Sequence, residues 1–142
     1  MTSQKSATPS LHHVVFAIAP ERHDAVAEMF TGLGFTLAPA ELTELGLRIN
    51  LDWAHGVELI SPLPGATAAV AASVAEFLDS NGDGIYTVVL QVPDASAAGA
   101  VTERYGAGIR FRQKLEGDGT HLEEIDLSVF DLPLTLLDTN IP

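Results

Sequence analysis

The chain has 142 residues, of which 46% are hydrophobic, and its 19 acidic and 7 basic residues give a net charge of −12. This size and composition fit one ordinary domain or two very small ones that share a core. The acidic charge argues against binding to nucleic acid or to anionic membranes. The absence of cysteine excludes disulfides, thiolate metal sites and a cysteine nucleophile. We find no apolar run near the roughly 20 residues of a membrane span and no secretory signal. We therefore expect a cytoplasmic protein with a disordered tail over residues 1–10.

The first half of the sequence predicts one strand, one helix and three further strands. The first strand is rich in β-branched residues and ends at Pro20, which also suits the first turn of the helix that follows. That helix ends at Gly34. A weak strand follows, and then a segment in which apolar and polar residues alternate. The predicted strands of this half span residues 11–19, 36–41, 46–52 and 57–61.

The second half repeats this order after an alanine-rich helix. Residues 81–84, with the sequence NGDG, are typical of a turn and not of a calcium loop, because no further ligands follow at the required spacing. The predicted helix spans residues 94–105. The predicted strands span residues 85–92, 109–115, 123–130 and 134–139.

An internal duplication relates the two halves. His13 and the two valines after it match Thr87 and the two valines after it, and the next proline and helix-ending glycine follow at a nearly constant offset. Each match is weak alone, but their shared order favours a duplication.

Four motifs in chain order carry a resemblance to a known family. They are HHV in the first strand, LGF at residues 33–35, VELISP at residues 57–62 and GDGIYTVVLQVPD at residues 82–94. Together they resemble the vicinal-oxygen-chelate superfamily of glyoxalases, bleomycin-resistance proteins and extradiol dioxygenases, especially its methylmalonyl-CoA epimerase-like and glyoxalase-like members.

The resemblance implies a fold and an arrangement of domains. The fold class is α+β, with two βαβββ modules side by side forming one curved mixed-sheet cup. The first module spans residues 11–62, a linker with a helix spans residues 63–84, and the second module spans residues 85–142. Members of the family usually pair, and exposed strand edges need cover, so we expect a homodimer.

The family usually holds a divalent metal with ligands from the first and last strands of each module. The matching positions are His13 and Glu58 in the first module, but Thr87 and Leu136 in the second. Because a catalytic divalent ion takes three or more protein ligands, two donors are too few for tight binding. We therefore expect no cofactor. Weak divalent metal binding at His13 and Glu58 stays open, as does replacement of a lost ligand by Asp126 or Glu124.

Strand alternation predicts the other side chains of the cup. If Glu58 faces the cup, its apolar neighbours face the helices, and the polar residues of the preceding strand face the cup. The apolar residues Ile125, Leu127 and Val129 likewise face the helices of the second module. We expect Trp53 and Tyr86 on the helix side. The predicted catalytic residues are Glu58, His13 and Asp126, and the predicted substrate-binding residues are Arg48, Asn50, Thr87, Gln91, Glu124, Ser128 and Leu136.

Non-catalytic interpretations of these residues also stay open. His13 is also explained as a histidine that hydrogen-bonds without taking part in chemistry, and Glu58 as a former metal ligand that now pairs with Arg48 or is solvated. The basic residues that alternate at positions 110, 112 and 114 are interpreted as the solvated face of a strand. The functional alternative is that they contact an anion at the rim of the cup.

We consider three functions for the predicted cup, and the first two require a small-molecule ligand. The first is an isomerase or lyase in which Glu58 is the proton-transfer base and His13 or Asp126 its acid partner. The alternative is a metal-free protein of the bleomycin-resistance type that sequesters an antibiotic. The negative charge and lost metal ligands favour this alternative, whereas the few aromatic residues predicted in the cup disfavour it. The polar cup argues against the third, a structural or regulatory relic.

Overall fold

A computed structural model describes residues 8–142 of the chain. Residues 1–7 of the predicted disordered tail lie outside the described residues. Ser10, the last residue of that predicted tail, belongs to the first strand. The class is α+β, as predicted. The elements are β1 (Ser10–Ala17), a short 3-10 helix (Pro20–Arg22), α1 (His23–Gly32), β2 (Ala38–Leu42), β3 (Leu47–Asp52), β4 (Val57–Pro62), α2 (Ala69–Asn81), β5 (Gly84–Gln91), α3 (Ala95–Glu103), β6 (Gly108–Gly117), β7 (Thr120–Val129) and β8 (Leu132–Thr139).

The chain divides into two compact units. The first unit is His13–Tyr86, and the second is Thr87–Pro142 together with the segment that ends at His12. The order β1-α1-β2-β3-β4 is followed after α2 by β5-α3-β6-β7-β8, which is the βαβββ order expected twice. The module boundaries drawn from the sequence and the homodimer stay predictions.

Parallel pairing of β1 with β4 forms the centre of the first unit. β4 then pairs antiparallel with β3, and β3 antiparallel with β2. Helices α1 and α2 pack against β4. The ring of Phe16 in β1 lies 5.7 Å from that of Phe30 in α1, so the face of β1 that carries Phe16 is the helix side.

A glycine allows the turn between β2 and β3 to pack closely. Gly46 has φ +72°, and a Cβ atom placed there would lie 2.8 Å from the Cβ of Ala66 and 2.9 Å from that of Ala71. Both the left-handed backbone and the close approach exclude a side chain at this position.

The second unit is built in the same way around β8. This strand pairs in parallel with β5 and antiparallel with β7, which pairs antiparallel with β6. The Asp94 carboxylate caps α3 by accepting a 2.9 Å hydrogen bond from the backbone N–H of Ala97.

The apolar core of the second unit lies between α3 and the strands. Its members Ala95, Ile125, Leu127, Val129 and Leu136 are all buried. Burial of a large aliphatic side chain contributes about 1.5–3 kcal/mol relative to exposure. The sequence prediction for the apolar side of β7 is therefore confirmed.

Within residues 8–142, none of the helices has both the length and the apolar character needed to cross a membrane.

Candidate functional site

A histidine–carboxylate pair lies on one face of the first unit. The register places Val15 opposite Glu58, and His13 is two residues before Val15, so His13 shares the face of Glu58. The His13 Nε2 and Glu58 Oε1 atoms are 2.9 Å apart. His13 is 3% exposed, whereas the Glu58 side chain is 18% exposed. The imidazole therefore holds the carboxylate from the interior, and Glu58 is the member of the pair that a ligand can reach.

Trp53 also lies on this side of the first unit. Its ring centroid is 6.0 Å from that of His13, and the residue is half-buried. Trp53 follows Leu51 at an interval of two, and Leu51 lies opposite Glu58, so strand alternation continues to Trp53. The prediction that Trp53 lies on the helix side is therefore wrong.

Tyr86 lies on the helix side, as predicted. Its hydroxyl is 2.7 Å from the Ser73 hydroxyl of α2, and its ring packs edge-on against Phe77 of the same helix.

The predicted orientation of Arg48 and Asn50 is wrong. Asn50 lies opposite Leu59, and Arg48 lies opposite Ser61, so both are on the face of the sheet away from Glu58. The guanidinium of Arg48 contacts the Asp24 carboxylate of α1. The side chains that share the Glu58 face of β3 are instead Leu47, Ile49 and Leu51. The expected alternative pairing of Glu58 with Arg48 is therefore also wrong.

A fully buried histidine explains why polar residues of β3 turn toward the helix. His23 opens α1, is 0% exposed, and lies with Nε2 2.6 Å from Asn50 Oδ1 and Nδ1 2.6 Å from Ser61 Oγ. The Ser61 hydroxyl donates to the backbone carbonyl of Ile18 at 2.6 Å. Burial lowers the pKa of His23 from its usual value. Because buried polar groups need partners, Asn50 lies where His23 supplies one.

The second unit brings together two threonines and an aspartate. Thr135 lies opposite both Val89 and Asp126, and Thr87 shares the face of Val89. The Thr87 and Thr135 hydroxyl oxygens are 3.0 Å apart, and Thr135 donates to Asp126 Oδ1 at 2.6 Å. Both threonines are buried, and Asp126 is half-buried.

Leu136 lies on the opposite face from these polar groups. It is opposite Ile125 and belongs to the core under α3, so its orientation toward a ligand was predicted wrongly. Sequence analysis missed Thr135, the neighbouring residue that takes part in the polar face. The alternation of Leu134, Thr135 and Leu136 carried the signal, because only the threonine is polar.

The remaining predicted residues of the second unit share the face of Asp126. Glu124 accepts a 2.6 Å hydrogen bond from the Gln113 amide of β6, and Gln91 donates to the carbonyl of Thr139 at 3.3 Å. Ser128 lies opposite Pro133 and is half-buried. The roles predicted for Glu124, Gln91 and Ser128 stay predictions.

The donors at the matching positions do not fit the metal centre that the family resemblance implies. Residues 8–142 contain no group of three or more histidine and carboxylate side chains suited to holding an ion. His13 and Glu58 bond to each other, whereas Thr87 offers a neutral hydroxyl engaged with Thr135. We therefore derive no chemical step through a metal.

Solved structures share the architecture of this chain. Methylmalonyl-CoA epimerase from Mycobacterium tuberculosis has a TM-score of 0.62 and 21% identity, covering 97% of this chain and 92% of that one. A Streptomyces coelicolor methylmalonyl-CoA epimerase variant in complex with 2-nitronate-propionyl-CoA has a TM-score of 0.67 and 18% identity, covering 96% and 100%. The chain has the vicinal-oxygen-chelate fold.

The vicinal-oxygen-chelate fold does not by itself decide the chemistry. A variant of 4-hydroxymandelate synthase from Streptomyces coelicolor also matches, with a TM-score of 0.66 and 15% identity over 99% of this chain and 52% of that one. No protein-family model and no curated protein matches the sequence. Function must therefore be argued from the side chains.

Proposed function

We propose that the chain is a small-molecule enzyme, an isomerase or lyase that uses carboxylate acid–base chemistry without a metal. The 2.9 Å contact between His13 and Glu58 carries the proposal. A carboxylate that is held by a buried imidazole and still partly exposed has a fixed direction and access to a ligand. These are the geometric requirements for a general base.

In the proposed reaction Glu58 removes a proton from a carbon next to a carbonyl group. The C–H electron pair moves into the carbonyl to give an enolate, and Glu58 becomes a carboxylic acid. An isomerase then returns a proton to the carbon, whereas a lyase expels a leaving group from the neighbouring carbon. His13 or Asp126 is the proposed acid that supplies a proton in the second step.

The proposed substrates are acyl thioesters or related compounds with an acidic C–H bond. The solved structures that share the fold include methylmalonyl-CoA epimerases, among them a variant in complex with 2-nitronate-propionyl-CoA. These likenesses support the choice of a substrate class, while the His13–Glu58 pair supports the chemistry.

Deuterium exchange tests the proposal without requiring the natural substrate to be known. The chain is incubated with methylmalonyl-CoA and a panel of 2-substituted acyl thioesters in deuterated water, and mass spectrometry follows exchange at the carbon next to the carbonyl. Glu58→Gln retains shape and a hydrogen-bond acceptor but removes the base, so we expect exchange to fall by about 100-fold or more. EDTA should leave the wild-type rate unchanged.

Glu76→Gln is the matched control, because Glu76 is an exposed carboxylate on α2. It should exchange at the wild-type rate. A Glu58→Gln chain that exchanges as fast as wild type, or a wild-type chain that exchanges none of the panel, would overturn the proposal.

The second candidate is a metal-free binding protein that sequesters a cationic aromatic compound. The position of Trp53 beside His13 favours this function, because it places an aromatic ring near a half-buried carboxylate. The net charge of −12 favours cationic ligands. Trp53 is the single tryptophan, so quenching of its fluorescence by a cationic aromatic antibiotic, without exchange activity on any thioester, would select this candidate.

A further inference from the structure

Asp126 is held by a hydrogen bond from a residue that has almost no contact with water. Asp126 lies in the middle of β7, and Thr135 of β8 is directly opposite. The Thr135 hydroxyl donates to Asp126 Oδ1 at 2.6 Å. Thr135 is 1% exposed, so its hydroxyl is shielded from competing water.

While Asp126 is ionised, the direction of the hydrogen bonds in this chain of groups follows from the single proton of each hydroxyl. A threonine hydroxyl has one proton to donate, and Thr135 gives that proton to Asp126. The 3.0 Å contact between Thr87 and Thr135 must then use the proton of Thr87. Thr87 is 3% exposed, so both hydroxyls are oriented toward Asp126 from inside the unit.

We propose that Thr135, itself oriented by Thr87, is a positioning residue that aims the Asp126 carboxylate for proton transfer. This inference rests on the proposed function, in which Asp126 is one of the two candidate acids. In a reversible isomerisation the acid of one direction is the base of the reverse direction, and the ionised carboxylate held by Thr135 is that base. A hydrogen bond from a neutral donor to a carboxylate is charge-assisted, and it both fixes the rotamer and favours the ionised form. Asp126 is half-buried, so it remains open to proton exchange while the threonines are not.

Other polar and charged groups also lie near Asp126. Glu124 is on the same face of β7, two residues before Asp126. On β6, Phe111 lies opposite Asp126 and Gln113 lies opposite Glu124. Arg110 lies in the irregular segment between Ile109 and Phe111. From β5 and β8 the facing side chains are uncharged, among them Thr87 and Thr135. The Thr135 hydroxyl donates to Asp126 and can be removed without changing a charge.

Three substitutions separate positioning from a merely structural role. Thr135→Val retains the shape of the side chain and removes the donor, Thr135→Ser retains the donor, and Thr87→Val removes the group that orients Thr135. Thr102→Val is the control, because the Thr102 hydroxyl bonds a backbone carbonyl within α3. Each variant is measured by thermal unfolding, by carboxyl-carbon NMR titration of Asp126, and by the exchange assay.

We expect Thr135→Val to raise the titration midpoint of Asp126 by about one pH unit, the scale of one hydrogen bond to a charged group. Exchange should fall by roughly tenfold or more, as misplacement of a reacting group predicts, and the limb of the pH profile that reports Asp126 should move upward. Thr135→Ser should restore the midpoint and the rate. Thr87→Val should give a smaller change in the same direction, and Thr102→Val none.

The failures of the two proposals are distinguishable. A wild-type chain without exchange would overturn the proposed function. An active wild type whose folded Thr135→Val variant retains its rate, its pH profile and the Asp126 midpoint would overturn this inference alone. If Thr135→Val does not fold, the Asp126 midpoint and exchange rate of Thr87→Val decide, and unchanged values would overturn the inference.

Discussion

The two units use the same order of elements to support polar faces of different chemistry. In the first unit the buried residue of the leading strand is a histidine, and it contacts the carboxylate of Glu58. In the second unit the buried residue at the matching position is Thr87, and its hydroxyl reaches the carboxylate of Asp126 through Thr135. The difference shows that two units with the same order of elements can each place a buried donor behind a partly exposed carboxylate, with an imidazole in one and hydroxyls in the other.

The change of donor has a consequence for titration. An imidazole changes its charge near neutral pH, whereas a threonine hydroxyl stays neutral at every accessible pH. The first unit also contains the fully buried His23, while the core beneath α3 in the second unit is aliphatic. The buried His23 of the first unit is therefore expected to make folding depend on pH near neutrality.

Leu136→Glu should have the largest effect, because it tests whether the second unit tolerates a carboxylate where the family resemblance expects one. Leu136 is 4% exposed and lies in the core of the second unit, so the new charge would be buried without a partner. We expect a loss of more than about 3 kcal/mol in the free energy of unfolding, measured in urea. Leu136→Met is the control and should cost less than about 1.5 kcal/mol. Near wild-type stability of Leu136→Glu would contradict the orientation of Leu136.

The pH dependence of folding tests the contribution of the first unit. Burial lowers the pKa of His23 below its usual 6.5. The unfolded chain therefore binds a proton first as the pH falls, so the free energy of unfolding should be highest above about 6.5 and decrease from there down to the lowered pKa of His23. Equilibrium unfolding across this range measures the slope.

His23→Gln should flatten that slope, because it removes the buried imidazole. A separate loss is expected below about 3.8, because backbone and side-chain donors hold the pKa of Asp52 and Asp83 below that usual value. An equal slope near neutrality in wild type and His23→Gln would show that burial of His23 does not drive it.

Arg48→Met should have the smallest effect. Arg48 pairs with Asp24 of α1, and their side chains are 36% and 81% exposed, so solvent screens the pair. We expect the free energy of unfolding to change by less than about 1 kcal/mol. A loss of several kcal/mol would show that the polar face of β3 depends on this ion pair more than on the buried contacts of His23.

The order of the elements, the α+β class and the apolar side of β7 could all be predicted from the residues alone. The sequence also identified His13 and Glu58, which the structure brings within 2.9 Å. Periodicity and stop signals carry this information, because apolar residues that recur at an interval of two or of three to four specify a buried side locally. The family resemblance carried by the VELISP motif then predicted that Glu58 and His13 lie in the same site.

Which face each alternating set occupies depends on packing between elements and could not be predicted from one strand. Alternation divides β3 into Leu47, Ile49 and Leu51 on one side and Arg48, Asn50 and Asp52 on the other, but it does not say which set faces the helix. That choice depends on a partner distant in sequence, since His23 makes burial of Asn50 favourable. Contacts distant in sequence likewise place Thr135 and Leu136 on opposite faces of β8. A one-residue change of register moves every side chain to the other face, and only packing against α3 and bonding to Asp126 selects between the two arrangements.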